Sequence, residues 1–166
     1  MVESSQSGGS QRAKVDAPQS VAQASLDDKF RLKLPAEFVA FLDSIDGRTV
    51  FITTLDNRLG RIYPIWLWQD NLRILENTTD DPEAAESLAY MAKVNGDTAT
   101  IDGNGRLLLP SALRDALGLA GKEPLWVEAH NNSINIFTKR VHEERMQTAA
   151  ANAAENLRKL KKLGFK

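Results

Sequence analysis

The chain has 166 residues, with 21 Lys and Arg against 22 Asp and Glu, a net charge of −1 and no cysteine. That length can bury an apolar core in one or two small domains, while the missing thiols exclude a disulfide framework, a cysteine nucleophile and any cysteine-held metal centre. No apolar run approaches the roughly 18–20 residues of a membrane span, the first ten residues lack the apolar centre of an export signal, and near-zero charge argues against coating nucleic acid by bulk attraction.

Residues 1–19 are rich in Ser, Gln, Gly and Ala and show no hydrophobic period. Such a stretch cannot bury enough surface to offset its ordering entropy, so a disordered arm is expected. Its Arg12 and Lys14 suit at most a passing contact with a phosphate backbone.

An internal repeat begins at Ser25. Ser25-Leu-Asp-Asp-Lys-Phe-Arg-Leu-Lys-Leu-Pro35 matches Thr100-Ile-Asp-Gly-Asn-Gly-Arg-Leu-Leu-Leu-Pro110, 75 residues further on. A short helical run follows each proline, over 36–42 and 111–117, with Pro35 and Pro110 expected at the first helical position and Gly47 and Gly118 as stops. Strand pairs come next. Residues 50–54 turn through Asp56-Asn57 into 59–63, and residues 125–129 turn through Asn131-Asn132 into 134–137; these turn residues tolerate positive φ. A helix closes each copy, from Ile65 to about Glu76 and from about Lys139 to Leu163. Asp81-Pro82 reads as cap and first turn of another helix, reaching about Val94, that bridges the copies.

Each repeat therefore reads as strand, turn, strand, helix, hairpin, helix. A unit of about 50 residues is too small to cover its own sheet. Two copies covering each other about a pseudo-twofold axis would form one compact α+β domain. The expected divisions are a first repeat over 20–76, a linker helix over 77–95, a second repeat over 96–145 and a basic tail over 146–166. Period-two alternation places Leu32, Leu34, Leu107 and Leu109 in the core.

The two motifs, Leu26-Asp-Asp-Lys-Phe-Arg-Leu-Lys-Leu-Pro35 and Ile101-Asp-Gly-Asn-Gly-Arg-Leu-Leu-Leu-Pro110, resemble the MraZ family. So do their order, their spacing and the Tyr63-Pro64 that opens the first long helix. These are bacterial transcriptional regulators built from two tandem AbrB-type swapped-hairpin units. The resemblance implies a pseudo-twofold, β-barrel-like core with flanking helices. It also implies double-stranded DNA as partner and a cytoplasmic, nucleoid-associated protein. Its homo-oligomeric ring would engage tandem repeats upstream of cell-division and cell-wall genes. Carried over, the DNA-facing residues are Lys29, Arg31, Lys33 and Arg106, with Asp27, Asp102 and Gly105 orienting the turns. The family has Gly before the Arg, as in Gly105-Arg106, whereas the first repeat has Phe30. That residue either forces a different turn or adds an aromatic surface.

The chemistry suits these residue types. Guanidinium groups anchor phosphates and read guanine bidentately. An Asp four residues earlier can take turn N–H groups or pair with the Arg; Asp27 and Asp102 are read chiefly as stitching the turn. Lys29 and Lys33 can add phosphate contacts, though each alone reads as a solvated lysine. At least one of Trp66 and Trp68 should be buried, and Trp126 reads as core or interface. In the tail, Leu157, Leu160 and Leu163 form a narrow stripe beside Arg158, Lys159, Lys161, Lys162 and Lys166. This helix either packs on a neighbouring subunit or adds phosphate contacts.

Enzyme signatures are missing. Gly103-Asn-Gly105 begins a dinucleotide fingerprint, but Leu108 stands at its third glycine, and Gly121-Lys122 lacks the rest of a P-loop. His130 and His142 have no metal-ligand spacing. No catalysis, metal, cofactor or small-molecule substrate is expected. The rival class is an oligomeric interaction protein that kept the fold and lost DNA binding.

Overall fold

The computed structural model describes Ala13 and residues 15–166. The arm expected over 1–19, including Arg12 and Lys14, lies mostly outside them. The first copy opens with β1 (Ala22–Leu26), which turns back into β2 (Arg31–Lys33) with Ser25 opposite Lys33 and Leu26 opposite Leu32. Helix α1 (Ala36–Ser44), the hairpin of β3 (Thr49–Thr54) and β4 (Gly60–Pro64), and α2 (Ile65–Asn77) follow. Helix α3 (Pro82–Asn95) leads to the second copy: β5 (Asp97–Thr100), β6 (Arg106–Leu108), α4 (Ser111–Leu117), β7 (Leu125–His130), β8 (Ser133–Phe137) and α5 (Lys139–Lys161).

All strand pairs are antiparallel, in the order β5-β3-β4-β8-β7-β1-β2-β6. The two end strands, β5 and β6, are consecutive in the chain, so the sheet nearly closes into a barrel. With β5 set beside β6 to close the circle, exchanging the two copies maps this order onto itself. The register obeys the same exchange: Ala22 pairs with Val127 and Asp97 with Ile52, Gln23 with Trp126 and Thr98 with Phe51. Each copy thus lends its first strand to the other copy's hairpin. The axis of the exchange passes through the β4·β8 ladder (Arg61 opposite Asn135) and, on the opposite wall, the β2·β6 ladder (Leu32 opposite Leu107).

The barrel is filled from both copies. Leu32, Leu34, Leu107 and Leu109 are fully buried, beside Phe38 and Leu42 of α1 and Leu113 and Leu117 of α4. Pairwise identical positions meet at the axis, which is why neither copy has a closed core of its own. A second, smaller cluster lies under α2 and α3, where Trp68 stacks on Phe51 at 4.6 Å between centroids and packs beside Tyr63. Trp66 is half-buried and its Nε1 donates to the Ile45 carbonyl at 2.8 Å.

Local signals acted with small displacements. Pro35 and Pro110 stand one residue before their helices, with ψ of 148° and 145°, and their carbonyls accept the first helical N–H groups. Both α1 and α4 end in a Schellman motif. In α4 the left-handed residue is Gly118 (φ 69°), as the sequence indicates; in α1 it is Asp46 (φ 55°), with Gly47 one step later donating to the Leu42 carbonyl at 2.7 Å. Gly47 is small for another reason, since a Cβ there would lie 3.0 Å from that same oxygen. Asn131 and Asn132 both take positive φ, the geometry of a tight two-residue hairpin. Asp81 caps α3 by accepting from the Ala84 N–H at 3.0 Å.

Candidate nucleic-acid interface

The Asp-x-x-x-Arg segments fold into two turns with the same wiring. Asp27 Oδ1 accepts the Lys29 and Arg31 N–H groups, both at 2.9 Å, and Asp102 Oδ1 accepts those of Asn104 and Arg106 at 2.8 and 2.9 Å. The second carboxylate oxygen takes the arginine Nε, at 2.8 Å for Arg31 and 3.1 Å for Arg106. Donation from the Arg31 backbone N–H holds the Asp27 carboxyl below its ordinary pKa, and the Arg106 N–H does the same for Asp102. Each aspartate therefore stitches its turn and aims its arginine at once.

Because only Nε is engaged, the Nη atoms of Arg31 and Arg106 carry no hydrogen bond among the described residues. The guanidiniums are fixed in direction with their outer edges open. The side chains are similarly accessible, 35% for Arg31 and 33% for Arg106. In the β2·β6 ladder Arg31 stands opposite Leu108 and Lys33 opposite Arg106, while Leu32 and Leu107 point into the core. By strand alternation Arg31, Lys33, Arg106 and Leu108 share one outward face. The two arginines are diagonal neighbours there, about 7–8 Å apart. Lys29 sits exposed in the first turn, beyond the ladder.

Phe30 does not change the turn. It takes φ 58°, close to the 73° of Gly105, and both residues donate their N–H to the corresponding Asp carbonyl at 3.0 Å. Left-handed backbone costs a residue with a Cβ roughly 1–2 kcal/mol. Here the ring packs against the barrel core, and the Arg114 guanidinium lies 3.8 Å above it. At the related place in the other copy Val39 stands where Arg114 would be, and a Cβ on Gly105 would lie 3.0 Å from its Cγ2. A side chain at Gly105 would thus add a tight contact with Val39 to the left-handed strain, whereas Phe30 meets the same strain with its ring packed.

Three contributors were not singled out from the sequence. Leu108, 57% exposed, occupies on the shared face the place that Lys33 has in the first copy. Alternation within Leu107-Leu108-Leu109 already pointed it outward. Arg114 and Arg48 had no such signal, since their roles depend on contacts between the copies. Arg48 Nη1 donates to the carbonyls of Asp102 at 2.8 Å and Ile101 at 3.3 Å while its fork grips Asp43, bracing the second turn from the first copy. Among the described residues no group of three or more His, Asp or Glu could hold a metal ion, and no helix is long and apolar enough to cross a membrane.

No protein-family model matches the chain. Curated relatives do, each called "Transcriptional regulator MraZ". The chain is similar to the one from Acidobacterium capsulatum, at 32% identity over 96 residues, covering 58% of this chain and 66% of that protein. The alignment with the relative from Halorhodospira halophila is longer: 140 residues at 29% identity, covering 81% of this chain and 91% of the relative. The one from Saccharophagus degradans is 32% identical over 114 residues, covering 63% of this chain and 78% of its own length. With both tandem units and the interlocked barrel in place, these matches establish that the chain belongs to the MraZ family.

Proposed function

We propose that the protein is a sequence-specific, DNA-binding transcriptional regulator whose outward β2·β6 face meets double-stranded DNA. What supports this most is the pair of arginines held on one face by their own aspartates, with their Nη edges open. Open, pre-aimed guanidinium edges suit a phosphate or the O6/N7 edge of guanine, and Lys29 and Lys33 stand where they can add phosphate contacts. One copy offers few such groups, so a tight complex needs several copies acting together. A homo-oligomeric ring facing repeated boxes upstream of cell-division and cell-wall genes supplies that through effective concentration. The reading places the protein in the cytoplasm with the nucleoid and asks for no catalysis, cofactor or small-molecule substrate.

The test is a salt titration of binding to the upstream region of the protein's own operon. Affinity should fall steeply with salt, and Arg31→Ala or Arg106→Ala should each weaken binding by about 1–3 kcal/mol where the arginine reads a base. A double variant that folds, assembles and binds normally overturns the assignment. Leu108 favours the rival reading, because an exposed leucine beside Arg31 on this face suits a protein surface. That reading, an interaction protein without DNA binding, demands no salt slope.

A further inference from the structure

The outward side of the β2·β6 ladder is a square of four side chains, Arg31 and Lys33 on one strand and Arg106 and Leu108 on the other. Leu108 has Arg31 across the ladder, Arg106 two residues back on its own strand and Lys33 at the far diagonal. It is exposed between two buried leucines, 107 and 109. Among the described residues it is the one large apolar side chain exposed on any strand; the others exposed lie on helices or outside the regular elements. The exchange-related place in the first copy holds Lys33, so the ladder accepts a cation there and the fold does not demand leucine.

By itself such a residue suits a protein surface, but its neighbours ask for more. A surface that covers Leu108 must offer an apolar group and, beside it, acceptors for three cations. The DNA major groove offers both together: O6 and N7 of guanine accept from a guanidinium, and the C5-methyl of thymine is the apolar group of that groove. The minor groove presents no methyl, and a phosphate gives a leucine nothing to pack on. A two-stranded ribbon fits the groove's width of roughly 12 Å. Side chains paired across a ladder stand about 5 Å apart, and alternate ones on a strand about 7 Å, which is one to two base-pair steps of about 3.4 Å.

We infer that Leu108 is a specificity-determining residue, packing on the C5-methyl of a thymine in the major groove within about two base steps of the bases met by Arg31 and Arg106. The inference rests on the DNA-binding reading and adds to it the base that one corner of the face selects. The arginines suit guanine, while the leucine favours thymine over cytosine, which has no methyl and presents an N4 donor that a leucine leaves unpaired. Lys33 makes no such choice at the related corner.

The full chain is titrated with two duplexes of the upstream region of its own operon, one made with thymidine and one with deoxyuridine, which lacks only the methyl. The second should bind more weakly by about fourfold for each methyl covered. Leu108→Ala should bind both duplexes alike. Leu108→Lys, which copies the first repeat's residue into the second, should also bind both alike, with affinity falling more steeply with salt. Equal affinity of the unaltered chain for the two duplexes overturns the inference; if that binding still weakens with salt and with Arg106→Ala, the DNA-binding reading stands without it. A methyl preference that survives in Leu108→Ala overturns it too, because the missing methyls then act through duplex shape. If neither duplex shows salt-dependent binding, the DNA-binding reading falls and the inference with it, and Leu108 is left to a protein partner. When thymines are replaced singly, the sensitive one should lie within about two steps of a guanine whose 7-deaza replacement, which removes N7, also weakens binding. A sensitive thymine far from any such guanine overturns the placement beside the arginines.

Discussion

The turn at 27–30 and the turn at 102–105 carry the same hydrogen bonds inside different surroundings. The first holds a phenylalanine at positive φ under an arginine, and its Asp28 pairs with Lys122. The second holds a glycine against a valine and is braced by Arg48. The shared wiring shows that the Asp-x-x-x-Arg segment carries the backbone path by itself: the carboxylate gathers the turn's N–H groups whichever residue precedes the arginine. The differences show where each turn is tied to the opposite copy, and so where a mutation should act on one and spare the other.

The equivalence itself is tested most severely at the axis. Leu32→Ala and Leu107→Ala each empty a fully buried site in the β2·β6 ladder and should cost about 2–5 kcal/mol in urea denaturation. Near-equal values are expected, and a gap as large as the effect itself breaks the pseudo-twofold account. Next in size, Gly105→Ala adds left-handed strain and a close approach to Val39, for about 1–2 kcal/mol. Phe30→Gly should change stability less, because relief of strain offsets the lost ring packing. A large loss on Phe30→Gly would mean that the Arg114 stack dominates the first turn.

Much of this was legible beforehand. The 75-residue offset implied two equivalent units, and alternation sorted Leu32 and Leu107 inward. The Asp and Arg spacing implied one turn used twice. What single positions could not carry was pairing between units: that Lys33 would stand opposite Arg106, that Arg48 would brace a turn more than fifty residues away, or that Arg114 would lie over Phe30. Those contacts follow from the strand exchange, and no local propensity encodes them. The left-handed end of α1 fell on Asp46 instead of Gly47 because aspartate tolerates that geometry and the carbonyl of Leu42 needs the smaller residue beside it.

Acid should act on both turns alike. Backbone donation lowers the pKa of Asp27 and Asp102 in the folded chain, so the unfolded chain binds these protons more readily. Their stabilising contribution is complete above the ordinary aspartate range and is lost as pH falls through the lowered values. Carboxyl-carbon NMR should follow the two in step, and a wide separation would mark the turns as electrostatically unlike. The smallest effects separate the braces. Arg48→Ala should speed amide exchange at Asn104 and Arg106 and leave Lys29 and Arg31 unchanged. Lys122→Ala should leave all four unmoved, since an ion pair this exposed contributes little.

The lending of β1 and β5 between hairpins has a consequence for what a fused chain can do. Two separate, identical chains interlocked in this way would be bound to present two identical turns. Joining them in one polypeptide lets each half drift alone, so the β2 side of the arginine face carries Lys33 where the β6 side carries Leu108. The surface acquires two unlike sides, and on the DNA-binding reading its target would have an orientation as well as a composition.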